Sequence, residues 1–322
     1  MTLIGIAEGD EILMSACTAV NKHGYRVVTS KGNPYMPFKD LRKPRLKKPL
    51  LEWLAKKGKS HLQIEEYNQC DNLNGALWQL KKTIGRWYRL TGCDIIQFWL
   101  GPTDGSNFRF KSAVTLPYKG HRKEKPEIWG AVRDYLINVY GAQIIYGYEC
   151  DDAVAMGQVD DAWKVELALG QPLEGTVLIH KDKDINMVPG WHFNTHTEEF
   201  EYVDKFGKLW LKETIDKQGR KKRDLKGNGL MFFYAQLLMG DRTDNIPPLK
   251  ARDYGSVGVY NLLGECQTEE GLLMAVMYEY KKVMGDKWKE RLLEQADLTF
   301  IVQKRGYHGS NYIEDKLGEF NL

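Results

Sequence analysis

The sequence lacks the cysteine spacings of a zinc site or a disulfide framework. Its five cysteines, Cys17, Cys70, Cys93, Cys150 and Cys266, are far apart, and no CxxC pair occurs among them. An odd number of scattered thiols is typical of a protein kept in a reducing compartment. We therefore expect a cytoplasmic protein in which cysteine holds no metal.

Long apolar runs are also missing. No stretch approaches 18 consecutive apolar residues, and the N-terminal MTLIGIAEGDE turns acidic after seven residues. This pattern predicts no membrane span and no signal peptide. At 322 residues, with 43% hydrophobic and 28% charged residues, the chain is large and apolar enough to bury a substantial core.

Positive and negative charges nearly balance, at a net +3, but they are segregated along the chain. Lysine and arginine cluster in four runs, at residues 41–49, 56–59, 118–125 and 216–226. Acidic residues instead follow predicted strands. An acidic site within a basic rim suits a polyanionic substrate, and the alternative for each basic run alone is a solvated surface.

Hydrophobic periodicity predicts an α/β fold with a mainly parallel central sheet and helices on both faces. Apolar runs at residues 3–7, 94–100, 144–148 and 176–180 read as strands, and amphipathic segments at 12–20, 73–87 and 126–137 read as helices. Residues 21–69 lack periodicity, which predicts a surface loop or insertion. Residues 198–213 read as a β-hairpin turning at Phe206 and Gly207, and further helices are predicted at 231–238, 259–263, 269–283 and 287–295.

Acidic residues stand just beyond four predicted strands and beyond the helix that precedes Gly240. They are Glu8, Asp10, Asp104, Glu149, Asp151, Asp152, Asp182, Asp184, Asp241 and Asp244. The carboxyl ends of parallel strands meet at one edge of a sheet, so these side chains are expected to converge. For the three acids of the ECDD segment, the alternative is a helix N-terminus that favours negative charge through its dipole.

Carboxylate oxygens without nearby histidine or cysteine select hard cations, so magnesium is expected, with manganese able to substitute. Two such ions about 4 Å apart can activate water and neutralise the leaving oxygen in phosphodiester hydrolysis. Lys119 and Arg122 in the basic YKGHR segment could hold the scissile phosphate; the alternative is solvated surface.

An ordered set of motifs resembles a known family. The segments EGDEILMSA, NFRFKSAVTLPYKGHR, ECDD, HKDKDINMVPGWHFN and LLMGDRTDNIPPL are similar to those of the 5′ to 3′ exonuclease and flap endonuclease family, in particular its single-domain bacteriophage exonucleases. The similarity extends from about residue 3 to residue 263. It implies a helical arch that clamps a single-stranded 5′ end and a helix-three-turn-helix element that grips duplex DNA.

The resemblance also implies roles for individual residues. The ten acids would supply the ligands of two magnesium ions, with either Glu8 or Asp10 as the first of them, and Lys119 and Arg122 would act on the phosphate. Contacts with DNA would come from Tyr118, Lys123, Lys125, Lys250, Arg252, Gly255 and Ser256. Tyr118 would stack on a base, or else pack in the core, and the loop at 246–258 could hold a potassium ion.

The expected protein is thus a monomer acting on DNA with a free 5′ end, flap or branch, in the host cytoplasm if a phage encodes it. The expected domains are a nuclease domain over residues 1–227, with a basic insertion at about 21–70 and the hairpin, and a helical DNA-binding subdomain over 228–322 that contributes Asp241 and Asp244.

Three positions depart from the family pattern. Glu8 stands where the pattern has aspartate, with Asp10 two residues later; Asp104 matches only loosely; and the segment IPPLKARDYGSVGVYNLL has less glycine than usual and lacks a lysine near Val257. Two alternative functions stay open: a non-catalytic scaffold that binds branched DNA, which the Glu8 change favours, and a ribonuclease that uses the same carboxylates, since no motif distinguishes ribose from deoxyribose.

Overall fold

The computed structural model describes most of the chain. Its described ranges are residues 2–33, 35, 47–59, 61–69, 72–121, 124–161, 167–168, 171–172, 175–215, 219–250 and 254–322. The chain folds into two compact units. The first comprises Met1–Glu11, Ile84–Lys123 and Ile137–Leu322, and the second comprises Ile12–Thr83 and Glu124–Leu136.

A six-stranded sheet forms the centre of the first unit. Its strands are β1 (Leu3–Glu8), β4 (Ile95–Leu100), β5 (Gln143–Ile144), β8 (Gly175–His180), β9 (Gly190–Asn194) and β10 (Glu199–Val203). They lie in the order β10, β9, β8, β1, β4, β5. Every neighbouring pair is parallel except β9 with β10. The predicted mainly parallel α/β sheet is therefore confirmed, with an antiparallel edge strand.

Apolar side chains of the central strands pack against neighbouring elements of the fold. All six residues of β8 are buried, as expected for a parallel strand covered on both faces. The helices of the chain are α1 (Gly9–Val20), α2 (Lys47–Lys56), α3 (Leu73–Thr91), α4 (Arg109–Ser112), α5 (Trp129–Tyr140), α6 (Cys150–Asp161), α7 (Gly229–Met239), α8 (Ser256–Leu263), α9 (Glu269–Met284), α10 (Trp288–Thr299) and α11 (Gly309–Glu319). In the described residues, no helix combines the length and apolar character needed to cross a membrane.

One apolar core joins the sheet to the C-terminal helices within the first unit. It includes Ile6 and Leu178 from the sheet, Phe233 and Leu237 from α7, and Val276 from α9. Helix α7 begins directly after a strand and ends at Gly240, whose φ of 62° closes the helix. The predicted helices at 231–238, 259–263 and 269–283 all form; the boundary predicted at residues 227 and 228 remains a prediction.

The insertion prediction for residues 21–69 was only partly right. Strands β2 (Lys22–Val28) and β3 (Gln63–Gln69) pair antiparallel, with helix α2 between them in sequence. Val27, Leu50, Leu54 and Leu62 form a small core of their own in the second unit. Single-strand alternation is weak here, so the segment read as a loop. The basic run at 41–49 falls largely outside the described residues.

Two strand predictions were wrong in detail. The predicted strand at 144–148 stops at Ile144, because Gly147 takes a φ of 83° and its carbonyl instead accepts from the Phe108 amide. The predicted hairpin at 198–213 does not form either. Strand β10 pairs with β9, while β11 (Lys208–Ile215) pairs with β12 (Lys221–Asn228). The basic segment after β11 is therefore largely a strand. The remaining two strands, β6 (Leu167–Ala168) and β7 (Gln171–Pro172), form a short antiparallel pair ahead of β8.

Candidate metal and phosphate site

Carboxylates converge at the carboxyl edge of the central strands. Glu8 ends β1, Asp151 lies in the first turn of α6 beyond β5, and Asp182 follows β8. Their charges repel one another. Burial, with the charges of Asp151 and Asp182, holds the pKa of Glu8 well above its ordinary value. The pKa of Asp151 is likewise raised by burial, then by Asp182 and Glu149.

Glu8 carries a polar atom that its described neighbours leave unsatisfied. Its Oε2 is buried and accepts no hydrogen bond from the described residues. Asp10, the other candidate for this position, is partly committed, since its Oδ2 accepts from the Gly101 amide at 2.9 Å. A side chain at residue 101 would crowd that contact, with a Cβ only 2.8 Å from the same oxygen. Asp10 Oδ1, like Glu8 Oε2, is buried and accepts no hydrogen bond from the described residues, so both residues stay candidate ligands at this position.

Glu149 is held by three neighbouring side chains. It accepts from Asn107 Nδ2 at 2.8 Å and from the Tyr118 hydroxyl at 3.0 Å, and Lys119 Nζ pairs with it. Burial acts to raise the pKa of Glu149, but the charges of Lys119 and Arg109 outweigh it and hold that pKa at about 2. Glu149 is therefore ionised at any working pH.

Asp152 has a different role from the predicted metal ligand. It is fully buried, and both of its oxygens receive the Arg109 guanidinium, at 2.6 and 2.8 Å. The same oxygens accept the amides of Glu149 and Val302, both at 2.9 Å. Since each oxygen already faces two donors of the protein, Asp152 positions the start of α6 rather than an ion.

Asp184 and Asp241 form a second acidic pair. Lys183 Nζ lies 2.5 Å from Asp241 Oδ2 and 3.2 Å from Asp184 Oδ1, and Gln236 of α7 donates to Asp184. Burial raises the pKa of Asp184 to about 7, with Asp182 and Asp241 adding to the shift against Lys183. Asp184 therefore titrates near neutrality.

Asp241 and Asp244 face different partners. They lie in a loop closed by paired backbone hydrogen bonds between Asp241 and Ile246. Asp241 faces Lys183, whereas Asp244 Oδ2 lies 2.9 Å from the Tyr118 hydroxyl and 3.6 Å from Lys119 Nζ. The loop thus supplies one carboxylate to each half of the site.

Tyr118 and Lys119 follow α4 and enter the acidic site together. Tyr118 is only 5% exposed and contacts two carboxylates, so the structure favours the packed alternative over base stacking. Lys119 has a positive φ of 55°, uncommon for a residue with a side chain, and its amide donates to the Asp244 carbonyl. This backbone turn places the Lys119 ammonium group among the carboxylates.

Several predicted residues lie elsewhere. Asp104 is exposed and caps its own loop through the Ser106 amide at 2.9 Å, so it does not join the cluster. Lys125 belongs to the second unit, where its ammonium lies 3.5 Å from the Trp129 ring centroid. Lys250 is exposed before α8, and Gly255 and Ser256 begin that helix. Arg122, Lys123 and Arg252 fall outside the described residues.

The donor set fits divalent cations of the hard class. It consists of carboxylate oxygens, with repulsion that a cation would relieve; two of them, Glu8 Oε2 and Asp10 Oδ1, are buried and accept no hydrogen bond from the described residues. Within the described ranges, however, no three His, Cys, Asp or Glu side chains already surround an ion position. The ammonium groups of Lys119 and Lys183 lie among the acids, where added cations would compete with them.

Sequence reasoning missed three residues of the site. Arg109 is 1% exposed and joins Asp152 to the Phe300 carbonyl at 2.7 Å. Glu11 adds a further acid beside Glu8 and is paired with Lys181 at 3.1 Å. Gln236 lies on the otherwise apolar α7, where a single amide among buried residues is a signal that could have indicated its role.

Comparison with known proteins finds no matching family model and no matching curated protein. Among solved structures, the chain is similar to the T5 D15 protein crystallised with metal ions, at 13% identity and a TM-score of 0.48, over 98% of this chain and 93% of that one. A mutant T5 5′-exonuclease gives 13% and 0.48, over 99% and 92%. The bacteriophage T5 D15 flap endonuclease, as a pseudo-enzyme–product complex with DNA and metal ions, gives 11% and 0.37, over 99% and 100%. These are proteins the chain is similar to, at identities that do not transfer their activity to it.

Proposed function

We propose that this protein is a divalent-metal-dependent 5′ to 3′ exonuclease with flap endonuclease activity that hydrolyses DNA phosphodiesters. The observation that carries the proposal is the cluster of Glu8, Asp151 and Asp182, in which burial, and then mutual repulsion, raises the pKa of both Glu8 and Asp151. A fold retains such repulsion at a site when a bound cation offsets it.

Two groups of carboxylates would hold the ions. Glu8, Glu149, Asp151 and Asp244 would contribute to one, and Asp182, Asp184 and Asp241 to the other. When bound, magnesium would activate water and neutralise the leaving oxygen. Arg109 takes both Asp152 oxygens, and Asp104 is exposed and caps its own loop, so neither acid belongs to the proposed ligand set. Asp10 keeps one buried oxygen without a hydrogen-bond donor among the described residues and stays a candidate beside Glu8.

Lys119 would bind the scissile phosphate. Its ammonium now pairs with Glu149 and lies 3.6 Å from Asp244, so it is already close to the proposed ions. On binding, it would exchange those carboxylates for phosphate oxygens. Arg122, Lys123, Lys250, Arg252, Gly255 and Ser256 keep their proposed contacts with DNA, and the backbone amides that begin α8 would donate to a phosphate.

The test is product-length analysis on 5′-flapped, nicked and blunt duplexes with magnesium, using Asp151→Asn with Asp182→Asn. We expect the double variant to fold and bind DNA but to lose at least about two orders of magnitude in turnover, more than loss of an outer partner costs. Glu270→Gln with Glu290→Gln, which removes the same charge from exposed helix positions, is the matched control.

A non-catalytic DNA-binding scaffold is the second candidate, because Lys119 and Lys183 already pair with the acids. Magnesium-independent binding with no cleavage of any flap would favour it and would reject the nuclease. Equal cleavage of RNA and DNA flaps of one sequence would instead assign the site to a less selective nuclease or ribonuclease.

A further inference from the structure

The ribbon formed by β11 and β12 carries a cluster of one tryptophan and three lysines that lies outside the carboxylate site. Pairing places Trp210 opposite Lys226, with Lys208 and Lys212 two residues away on either side of Trp210. Residues two apart on a strand share a face, as do directly paired residues. The three lysines therefore share one face of the ribbon with the indole ring.

This face points away from the core of the first unit. Leu209, Leu211 and Leu225 occupy the opposite face of the ribbon and pack against the apolar core. Trp210 is 37% exposed, and Lys208 and Lys212 are exposed. Lys208 Nζ lies 5.8 Å from the indole centroid, so charge and aromatic surface adjoin directly.

The outer face is strongly positive. It carries Lys208, Lys212, Lys222 and Lys226 against a single Asp224, which pairs with Lys222 at 2.7 Å. Three positive charges remain around an accessible indole. Apolar protein partners would find little apolar area here, and a duplex would present phosphates to the lysines but no base face to Trp210.

We propose that this face binds a single-stranded nucleic acid segment, with an unpaired base stacked on Trp210 and flanking phosphates held by Lys208, Lys212 and Lys226. Stacking on an aromatic ring within a basic surface is the usual chemistry of sequence-tolerant single-strand binding. This binding site is independent of the proposed hydrolysis, because it needs neither metal nor any of the carboxylates.

Close backbone contacts fix the base of the ribbon. Gly207 and Gly229 interlock at its base with φ values of 74° and 60°, and a Cβ on Gly207 would lie 2.0 Å from the Asn228 carbonyl oxygen. Asn228 Oδ1 also accepts from the Lys208 amide at 2.9 Å. Helix α7 begins at this base and ends beside Asp241, about 16 Å away at 1.5 Å per residue.

The experiment measures binding of fluorescent oligothymidylate and of a blunt duplex by anisotropy, in EDTA so that cleavage cannot interfere. We expect Trp210→Leu to weaken oligothymidylate binding by about tenfold, the effect of losing one stacked base. Replacing Lys208, Lys212 and Lys226 by alanine should make the negative slope of log affinity against log salt less steep by about 2. Duplex binding should change little in Trp210→Leu, because a duplex presents no base face to the indole.

Lys221→Ala with Arg223→Ala is the control, because it removes charge from the same ribbon strand. In the strand register, Arg223 lies opposite Glu213 and Lys221 lies opposite Ile215, so both basic residues are on the face of the ribbon that does not carry Trp210. Unchanged oligothymidylate binding in Trp210→Leu, or equal losses in the control, would overturn the proposal. Thermal melts of each variant keep the result interpretable, and Trp210→Phe should recover most of the affinity if stacking is responsible.

Discussion

At the scale of single residues, the buried ion pair of Arg109 and Asp152 holds backbone groups next to the candidate site. Both side chains are essentially inaccessible, and their bidentate contact also holds the Glu149 amide and the Phe300 carbonyl. Removing one partner leaves the other as an uncompensated buried charge. The pair should therefore matter more to stability than any exposed ion pair of the protein.

We predict that Arg109→Met lowers the free energy of unfolding by about 3–5 kcal/mol, as for other broken buried pairs. Arg86→Ala removes an exposed pair with Glu198 and should cost less than about 1 kcal/mol. Urea denaturation of both variants gives the comparison. Equal losses would contradict the role assigned to Arg109, and adding Asp152→Leu to Arg109→Met should restore part of the stability.

The residue scale also shows what the sequence could and could not predict. Acids after apolar runs indicated Glu8, Asp182 and Asp184 correctly as neighbours of a sheet edge, because strand ends are a local pattern. The commitment of Asp152 to Arg109 could not be predicted, since the pair is separated by 43 positions and depends on packing. A motif shows which residues can bind an ion, but packing decides which oxygens remain open.

At the scale of secondary-structure elements, the alternation of apolar and polar residues identified strands but not the strands with which they pair. Residues 199–203 and 208–215 flank a turn with Gly207, which favours a hairpin, yet each strand pairs with a different neighbour. Gly229 sits against the Gly207 backbone, so the two positive-φ glycines fix β11 to β12 instead. Pairing is set by such close approaches between distant segments, which local patterns do not contain.

We predict that Gly229→Ala destabilises the protein by about 2 kcal/mol or more. Its φ of 60° is strained for alanine, and the new Cβ would lie 2.7 Å from the Asp204 carbonyl oxygen. Gly85→Ala is the matched substitution, because Gly85 lies within α3 and no atom of the described residues comes within 4 Å of the new methyl group. That variant should gain about 1 kcal/mol. Thermal unfolding of the two proteins should shift in opposite directions.

At the scale of the whole molecule, repulsion among the acids predicts how stability responds to pH. The pKa of Asp184 is raised from 3.8 to about 7 by burial and by neighbouring acids. The folded protein therefore binds this proton more tightly than the unfolded chain does. Its contribution to stability is full below about pH 4 and is lost as the pH rises to about 7, at about 1.4 kcal/mol per pKa unit.

We thus expect the metal-free protein to melt at a lower temperature at pH 8 than at pH 5, with the difference reduced by Asp184→Asn. Glu149 does not alter this window, because its pKa of about 2 means that its contribution is lost only in acid. Magnesium should raise the melting temperature more at pH 8 than at pH 5. A pH-independent magnesium shift would argue that no ion binds among these carboxylates.

The strand order has a consequence for how a ribosome delivers this chain. Strand β1 lies at the middle of the sheet, but one of its two neighbours, β8, begins only at Gly175. At about 5–20 residues per second, roughly 10 to 30 s of synthesis separate the two strands. During that interval the edge of β1 that later pairs with β8 has no partner strand, because β4 occupies the other edge, and its unpaired amide and carbonyl groups are open to pairing with another chain.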